Sequence, residues 1–188
     1  SVGSATDINV KSKLAVAPVL KLGKATIRNV VFLVLEDKAL SFPQAKYEIH
    51  GIIGFPVIHA LGKVSLDKNN RVSIMAKSVK TKAEPNLALQ GLTPIVAGFH
   101  QNKRLIFVFD TGAAGTDFYP LFFKANEAEI TKNQTLQKVK VGGAGGFREV
   151  SAYRLSEVEL NIGGKKAKLK NPRILTERTN ENSRYYFG

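Results

Sequence analysis

The sequence predicts an all-β protein, and three observations carry that reading. Apolar residues gather in short runs rich in Val, Ile, Leu and Phe, not in long stripes at helical spacing. Turn signals separate the runs at Gly23-Lys24, Asp67-Lys68-Asn69-Asn70, Gln101-Asn102-Lys103 and Gly163-Gly164. Helical signals are confined to two short stretches, one led by Pro56 and one by Pro120.

Ser1–Asp7 is small and polar. Val10 to Leu22 alternates loosely, turns at Gly23-Lys24, and leads into an apolar strand over Ile27 to Leu35. Ser41 to His50 reads as a connection. In Gly51 to Leu61 an apolar pair lies between glycines and precedes a short helix, with Pro56 suited to its start and Gly62 to its end. Val64–Leu66 and Arg71–Met75 flank a hairpin turn. Ala76 to Pro94 is Lys-rich with two prolines and is expected to be a linker.

Ile95 to Phe99 and Arg104 to Phe109 make the next hairpin. A Pro120-led helix is expected within Phe118 to Ile130, followed by a glycine-tipped hairpin over Val139 to Val150. Tyr153 to Ile162 alternates as one strand, Gly163-Gly164 turns, and Leu169 to Leu175 follows. Asn180 to Gly188 is polar, then aromatic.

Composition narrows the function classes. With 188 residues and 44% apolar content, the chain can bury a core as one domain or two small ones. No run approaches the ~20 apolar residues of a membrane span, so none is expected; no signal peptide is read either, with a processed or trimmed N-terminus as the open alternative. The absence of cysteine excludes disulfides, thiolate metal sites and a Cys nucleophile. A formal charge of +13 could serve nucleic acid or acidic partners. Yet the basic residues are dispersed (Lys77, Lys80 and Lys82; Lys165 to Lys170), and no aromatic-interleaved stripe runs among them. A solvated basic surface is the expectation, and nucleic acid is not. His50, His59 and His100 lack metal-ligand spacing, the glycine-rich hairpin lacks a phosphate-loop ending, and Glu36-Asp37 reads as a solvated turn. Neither metal nor cofactor is expected.

The most informative stretch is Leu105–Thr116, LIFVFDTGAAGT. Five apolar residues run into Asp110, which predicts a strand buried on both faces ending in a carboxylate. A buried acid is costly unless hydrogen-bonded or shifted in pKa. Thr111, Gly112, Ala113, Ala114 and Gly115 then allow a tight loop. Asp-x-Gly by itself is an ordinary turn.

The chain also repeats itself at a period of about 140 residues, longer than a solenoid unit. Val2-Gly3-Ser4-Ala5 lines up with Val141-Gly142-Gly143-Ala144, and Val19 to Gly23 with Val158 and Leu160 to Gly163. Ile27-Arg28-Asn29 matches Leu169-Lys170-Asn171, Leu33 to Glu36 matches Ile174 to Glu177, and Gly51 aligns with Gly188.

Three strings together carry a resemblance. Asp110-Thr111-Gly112 after an apolar strand, Gly142-Gly143-Ala144-Gly145-Gly146-Phe147, and Ile52-Ile53-Gly54 before a helix resemble the ordered motifs of retropepsin-like aspartic peptidases. The resemblance implies pepsin-like and retropepsin-like β-barrel lobes with short helices. It places the later part of a first lobe in 1–75, a linker in 76–94 and the early part of a second lobe in 95–188.

It further implies an endopeptidase cleaving extended peptide or protein substrates, with Asp110 as half of an acid dyad, Thr111 bracing the paired loops and Gly112 letting them approach. Gly142, Gly143, Ala144, Gly145 and Gly146 would form a flap over the substrate. Ala113 stands where many pepsin-like enzymes carry a hydroxyl, which implies a less acidic working pH. Asp7, Asp37, Asp67 and Asp117 lack the strand and Thr-Gly context of Asp110, so a partner acid is expected from a longer chain or from a second copy. A third arrangement is a permuted lobe in which Gly51–Leu61 packs beneath the Asp110 loop. A binding or scaffold module that keeps the fold without the dyad is the alternative. The basic, cysteine-free, hydrolase-like character points to a secreted or periplasmic setting.

Overall fold

The computed structural model describes residues 10–43, 46–75 and 86–188. They fall into two compact units, 10–75 and 86–188, and strands dominate both. The all-β expectation holds.

The first unit is built of hairpins. Strand β1 (Lys13–Leu22) pairs antiparallel with β2 (Ala25–Val34) across Gly23-Lys24, with Gly23 at φ 58°. A single 3-10 turn at Asp37–Ala39 leads to two-residue strands β3 (Ser41–Phe42) and β4 (Tyr47–Glu48). Helix α1 (Phe55–Ala60) has Pro56 in its first turn, and Gly62 just beyond it adopts φ 77°. Strands β5 (Lys63–Leu66) and β6 (Val72–Met75) close a hairpin. The Asp67 carboxylate accepts the amides of Asn69 (2.8 Å) and Arg71 (3.0 Å), which fixes that turn. Among the described residues of this unit the buried apolar ones are Val30, Ala39, Phe42 and Val57, a thin core.

The second unit opens with β7 (Leu87–Gln90), β8 (Thr93–His100) and β9 (Lys103–Val108). Residues 86–94, expected in the linker, thus belong to a sheet, while 76–85 lie outside the described residues. Pro94 fits in β8 because its carbonyl, not an amide, is used: it accepts from Phe109 N at 2.9 Å. The β8–β9 turn is formed by Gln101 and Asn102, both at positive φ. After β10 (Asp117–Phe118) comes α2 (Pro120–Asn133), longer than expected and bent at Asn126. The Asn126 side chain donates to the Phe122 carbonyl there (2.9 Å).

Strands β11 (Gln137–Gly143), β12 (Gly146–Arg154), β13 (Glu157–Ile162), β14 (Lys165–Lys170) and β15 (Arg173–Leu175) complete the unit, followed by a 3-10 turn at Glu181–Arg184. One sheet runs β14-β13-β8-β7, with β9 on the β8 edge; the other runs β10-β15-β12-β11, with β10 parallel to β15. Two expected strands each prove to be two. Tyr153 to Ile162 breaks at Leu155-Ser156, and Leu169 to Leu175 breaks at Asn171, held at φ 51°, and Pro172. These breaks let the chain pass from one sheet to the other.

The core follows from that crossing. Leu105, Phe107, Phe118, Phe122, Ile130, Val158, Leu160 and Ile174 pack together. The rings of Phe118 and Phe122 lie 4.2 Å apart, and Phe107 meets Phe118 edge-on. A second cluster, Val139, Val141, Val150, Ala152 and Leu175, roots the β11–β12 hairpin, with Tyr119 against it.

The repeated sequence adopts a repeated register. In the first unit Val34 faces Lys13, Leu33 faces Leu14 and Phe32 faces Ala15. In the second, Leu175 faces Ala152, Ile174 faces Tyr153 and Arg173 faces Arg154. Asn29 and Asn171, aligned in sequence, both adopt a left-handed backbone, at φ 54° and 51°.

Candidate active site

Asp110 follows β9, and β9 is held on both edges. On one side β8 pairs with it from Ile95↔Val108 to His100↔Lys103. On the other, Phe187 N donates to Ile106 O (2.9 Å) and Val108 N donates to Gly188 O (2.7 Å). Tyr119 N in turn donates to Phe187 O (2.8 Å), so the final residues lie between β9 and the start of α2. A Cβ on Gly188 would stand 2.5 Å from the Asp117 carbonyl oxygen and 3.0 Å from the Phe107 ring, so only glycine passes there. The strand end that presents Asp110 is therefore firmly placed.

The acid itself is not buried. Leu105 and Phe107 are buried and Ile106 and Val108 half-buried, but Phe109 is 47% exposed and residues 110–115 are exposed. The expectation of a strand buried on both faces up to its acid is corrected: alternation places every second side chain inward, and burial ends at Val108. Locally, Gly112 N donates to Asp110 Oδ1 at 2.8 Å and Ala113 N to Asp110 O at 3.4 Å. That is an Asx turn. A side chain at Gly112 would crowd Oδ1 at 3.2 Å. Thr111 is exposed beside it.

The glycine-tipped hairpin belongs to the same unit. Gly142 faces Phe147 and Gly143 faces Gly146, leaving Ala144-Gly145 as the tip. A Cβ on Gly142 would fall 2.8 Å from the Phe147 ring, so the ring lies against bare backbone. Gly145 and Gly146 adopt φ 91° and 126°. Gly142 thus serves the hairpin's own packing, in addition to any ligand.

Side chains not singled out from the sequence join loop to hairpin. Arg173 on β15 grips Asp117 on β10 with two bonds, Nε to Oδ1 (2.5 Å) and Nη2 to Oδ2 (2.6 Å). Its Nη1 also donates to the Lys140 carbonyl on β11 (2.8 Å). One partly buried guanidinium therefore bridges the exit of the Asp110 loop to the hairpin root. The signal was a lone arginine in an apolar run, Pro172-Arg173-Ile174-Leu175, but its partner could not be read without the fold.

Tyr119 occupies the same junction. Burial pushes its phenol above the usual range; a hydrogen bond with Asn180 opposes this, and the negative charges of Asp117 and Asp110 add to it. Across the hairpin, Glu177 accepts Ser151 N at 2.7 Å, and that bond holds its carboxylate below the usual range. Tyr186 donates to Gln90 Oε1, tying the C-terminal segment to β7.

Among the described residues no group of three or more His, Asp or Glu could hold a metal ion. No helix among them is long and apolar enough to cross a membrane. Ile52-Ile53-Gly54, the third motif, lies in the first unit just before α1, with both isoleucines exposed. No protein-family model matches the chain, and no curated protein matches it.

Proposed function

We propose that the chain is part of an aspartic endopeptidase of retropepsin type, with retropepsin-like lobes, hydrolysing extended peptides. The observation that carries this is the pairing, in one unit, of an acid at the end of a doubly hydrogen-bonded strand with a glycine-tipped hairpin joined to it through Arg173. Two carboxylates sharing a proton perform the reaction. The ionised one takes a proton from water, which attacks the scissile carbonyl, and the protonated one donates to the forming oxyanion. Asp110 supplies one carboxylate, Thr111 braces the two loops, and Gly112 keeps the approach clear. An exposed Asp110 suits a face that meets a second acid on a partner lobe, from a longer chain or a second copy. Gly142 to Gly146 then close over substrate, offering backbone groups to an extended peptide. Export to a secreted or periplasmic location fits the cysteine-free, basic chain.

The Asx turn at Asp110 supports a second reading, a peptide-binding or scaffold module without catalysis. One experiment separates them. A peptide bearing a secondary hydroxyl in place of the scissile carbonyl mimics the tetrahedral state. Binding that is lost in Asp110→Asn supports the peptidase. Equal binding to both proteins supports the module.

A further inference from the structure

The two copies of the repeat share a register, but they do not share an environment. Ile174 and Leu175 are 0% exposed, because β10 pairs in parallel along β15 (Phe118↔Ile174) and α2 packs beside it. Their counterparts Leu33 and Val34 are 53% and 46% exposed. On the same strand pair, Leu14, Val16 and Val31 are exposed as well, and Leu14↔Leu33 and Val16↔Val31 form two adjacent cross-strand pairs. Among the described residues β2 pairs only with β1, and none of them pairs with its other edge, the one equivalent to the β10 side of β15. An apolar strand with an open edge is a template for another chain.

We infer that the β2 edge at Phe32–Val34 is a docking site for a strand–helix segment of the same pattern as Thr116–Asn133. The segment would pair in parallel, place an aromatic residue opposite Leu33, and lay a proline-led helix over Leu33. The register of the second unit sets this geometry, since Asp117↔Arg173 and Phe118↔Ile174 translate to positions opposite Phe32 and Leu33. A second copy of this chain cannot supply the segment without losing its own core, because its Phe118 already lies within the Phe107–Phe122–Ile174 cluster. Residues 1–9, 44–45 and 76–85 carry no aromatic residue to place opposite Leu33, so the occupant is a separate segment of that strand–helix pattern.

The test duplicates residues 93–140 ahead of Val2 in place of Ser1, the junction that the alignment of Val2 with Val141 dictates. Amide exchange at Phe32–Val34 is expected to slow by about tenfold or more relative to the unextended chain. Leu33→Glu in the extended protein restores fast exchange while protection at Ile174 stays unchanged. Exchange that is equally fast in both proteins overturns the inference. So does protection in the unextended chain that grows with its own concentration, which assigns the edge to a second copy. Should the extended protein precipitate, a synthetic peptide of residues 115–134 titrated into the full chain decides: protection of Phe32–Val34 sensitive to Leu33→Glu supports the inference, and none overturns it. The extended protein carries a second Asp-Thr-Gly, so peptide cleavage is read separately. Docking without cleavage counts against the peptidase alone.

Discussion

Gly142 illustrates how much one absent methyl group decides. The Phe147 ring fills the space where its Cβ would stand, and a side chain there must push the ring off the hairpin. Gly142→Val is expected to cost the second unit about 1 kcal/mol and to shift the Phe147 ring resonances. A valine variant with unmoved ring signals would remove this role. Tyr119 gives a prediction with a defined pH sense. Its phenol is raised in the folded state, so its contribution is complete below the unfolded value of about 10 and declines as pH rises above it. Tyr119→Phe is therefore expected to lower stability by about 1 kcal/mol near neutrality through loss of the Asn180 bond. Denaturant titrations at rising alkaline pH should show that difference shrinking, as only the wild type pays the cost of keeping this phenol neutral. A gap that widens with pH contradicts the assignment.

At the scale of elements, β15 is the hub of the second unit, taking β10 on one edge and β12 on the other. Arg173 reinforces it with a two-pronged pair to Asp117, and the side chains of both are largely shielded. Arg173→Met leaves Asp117 without its partner and is expected to destabilise the unit by about 2–4 kcal/mol; Arg173→Lys should recover only part, since an ammonium cannot make both bonds. Urea titrations of the three proteins measure this, and equal midpoints would show the bridge to be idle. Hairpins were the legible elements in the sequence. Gly23-Lys24, Asp67–Asn70 and Gly163-Gly164 announced their turns through residues that tolerate left-handed backbone or bond to it. The breaks at Leu155-Ser156 and Asn171-Pro172 were not legible as breaks. The first shows only as a phase slip in the alternation, two polar residues in a row at Ser156-Glu157, and the second shows its meaning only when β14 and β15 enter different sheets. The strand at Leu87–Gln90 was masked by nearby lysines and prolines, because pairing with β8 rather than composition determines it.

For the whole molecule, the two units differ in how well they are cored. The second carries an aromatic core centred on Phe118, Phe122 and Ile174, while the described residues of the first bury few apolar side chains. Calorimetry of the full chain is expected to give two transitions, the lower one belonging to residues 10–75; Phe118→Ala should lower only the upper one, by a destabilisation of about 3–5 kcal/mol. A single transition that moves as a whole contradicts this division. The position of Asp110 was legible from its strand and loop, but its exposure was not, because whether an acid is covered depends on what faces it. That question is also the central one for function. Its most direct measurement is turnover of an extended-peptide library by the protein carrying the duplicated 93–140 segment, with and without Asp110→Asn. The account predicts cleavage that Asp110→Asn abolishes. Cleavage that persists in Asp110→Asn, or none at all where exchange proves the segment docked, would contradict it.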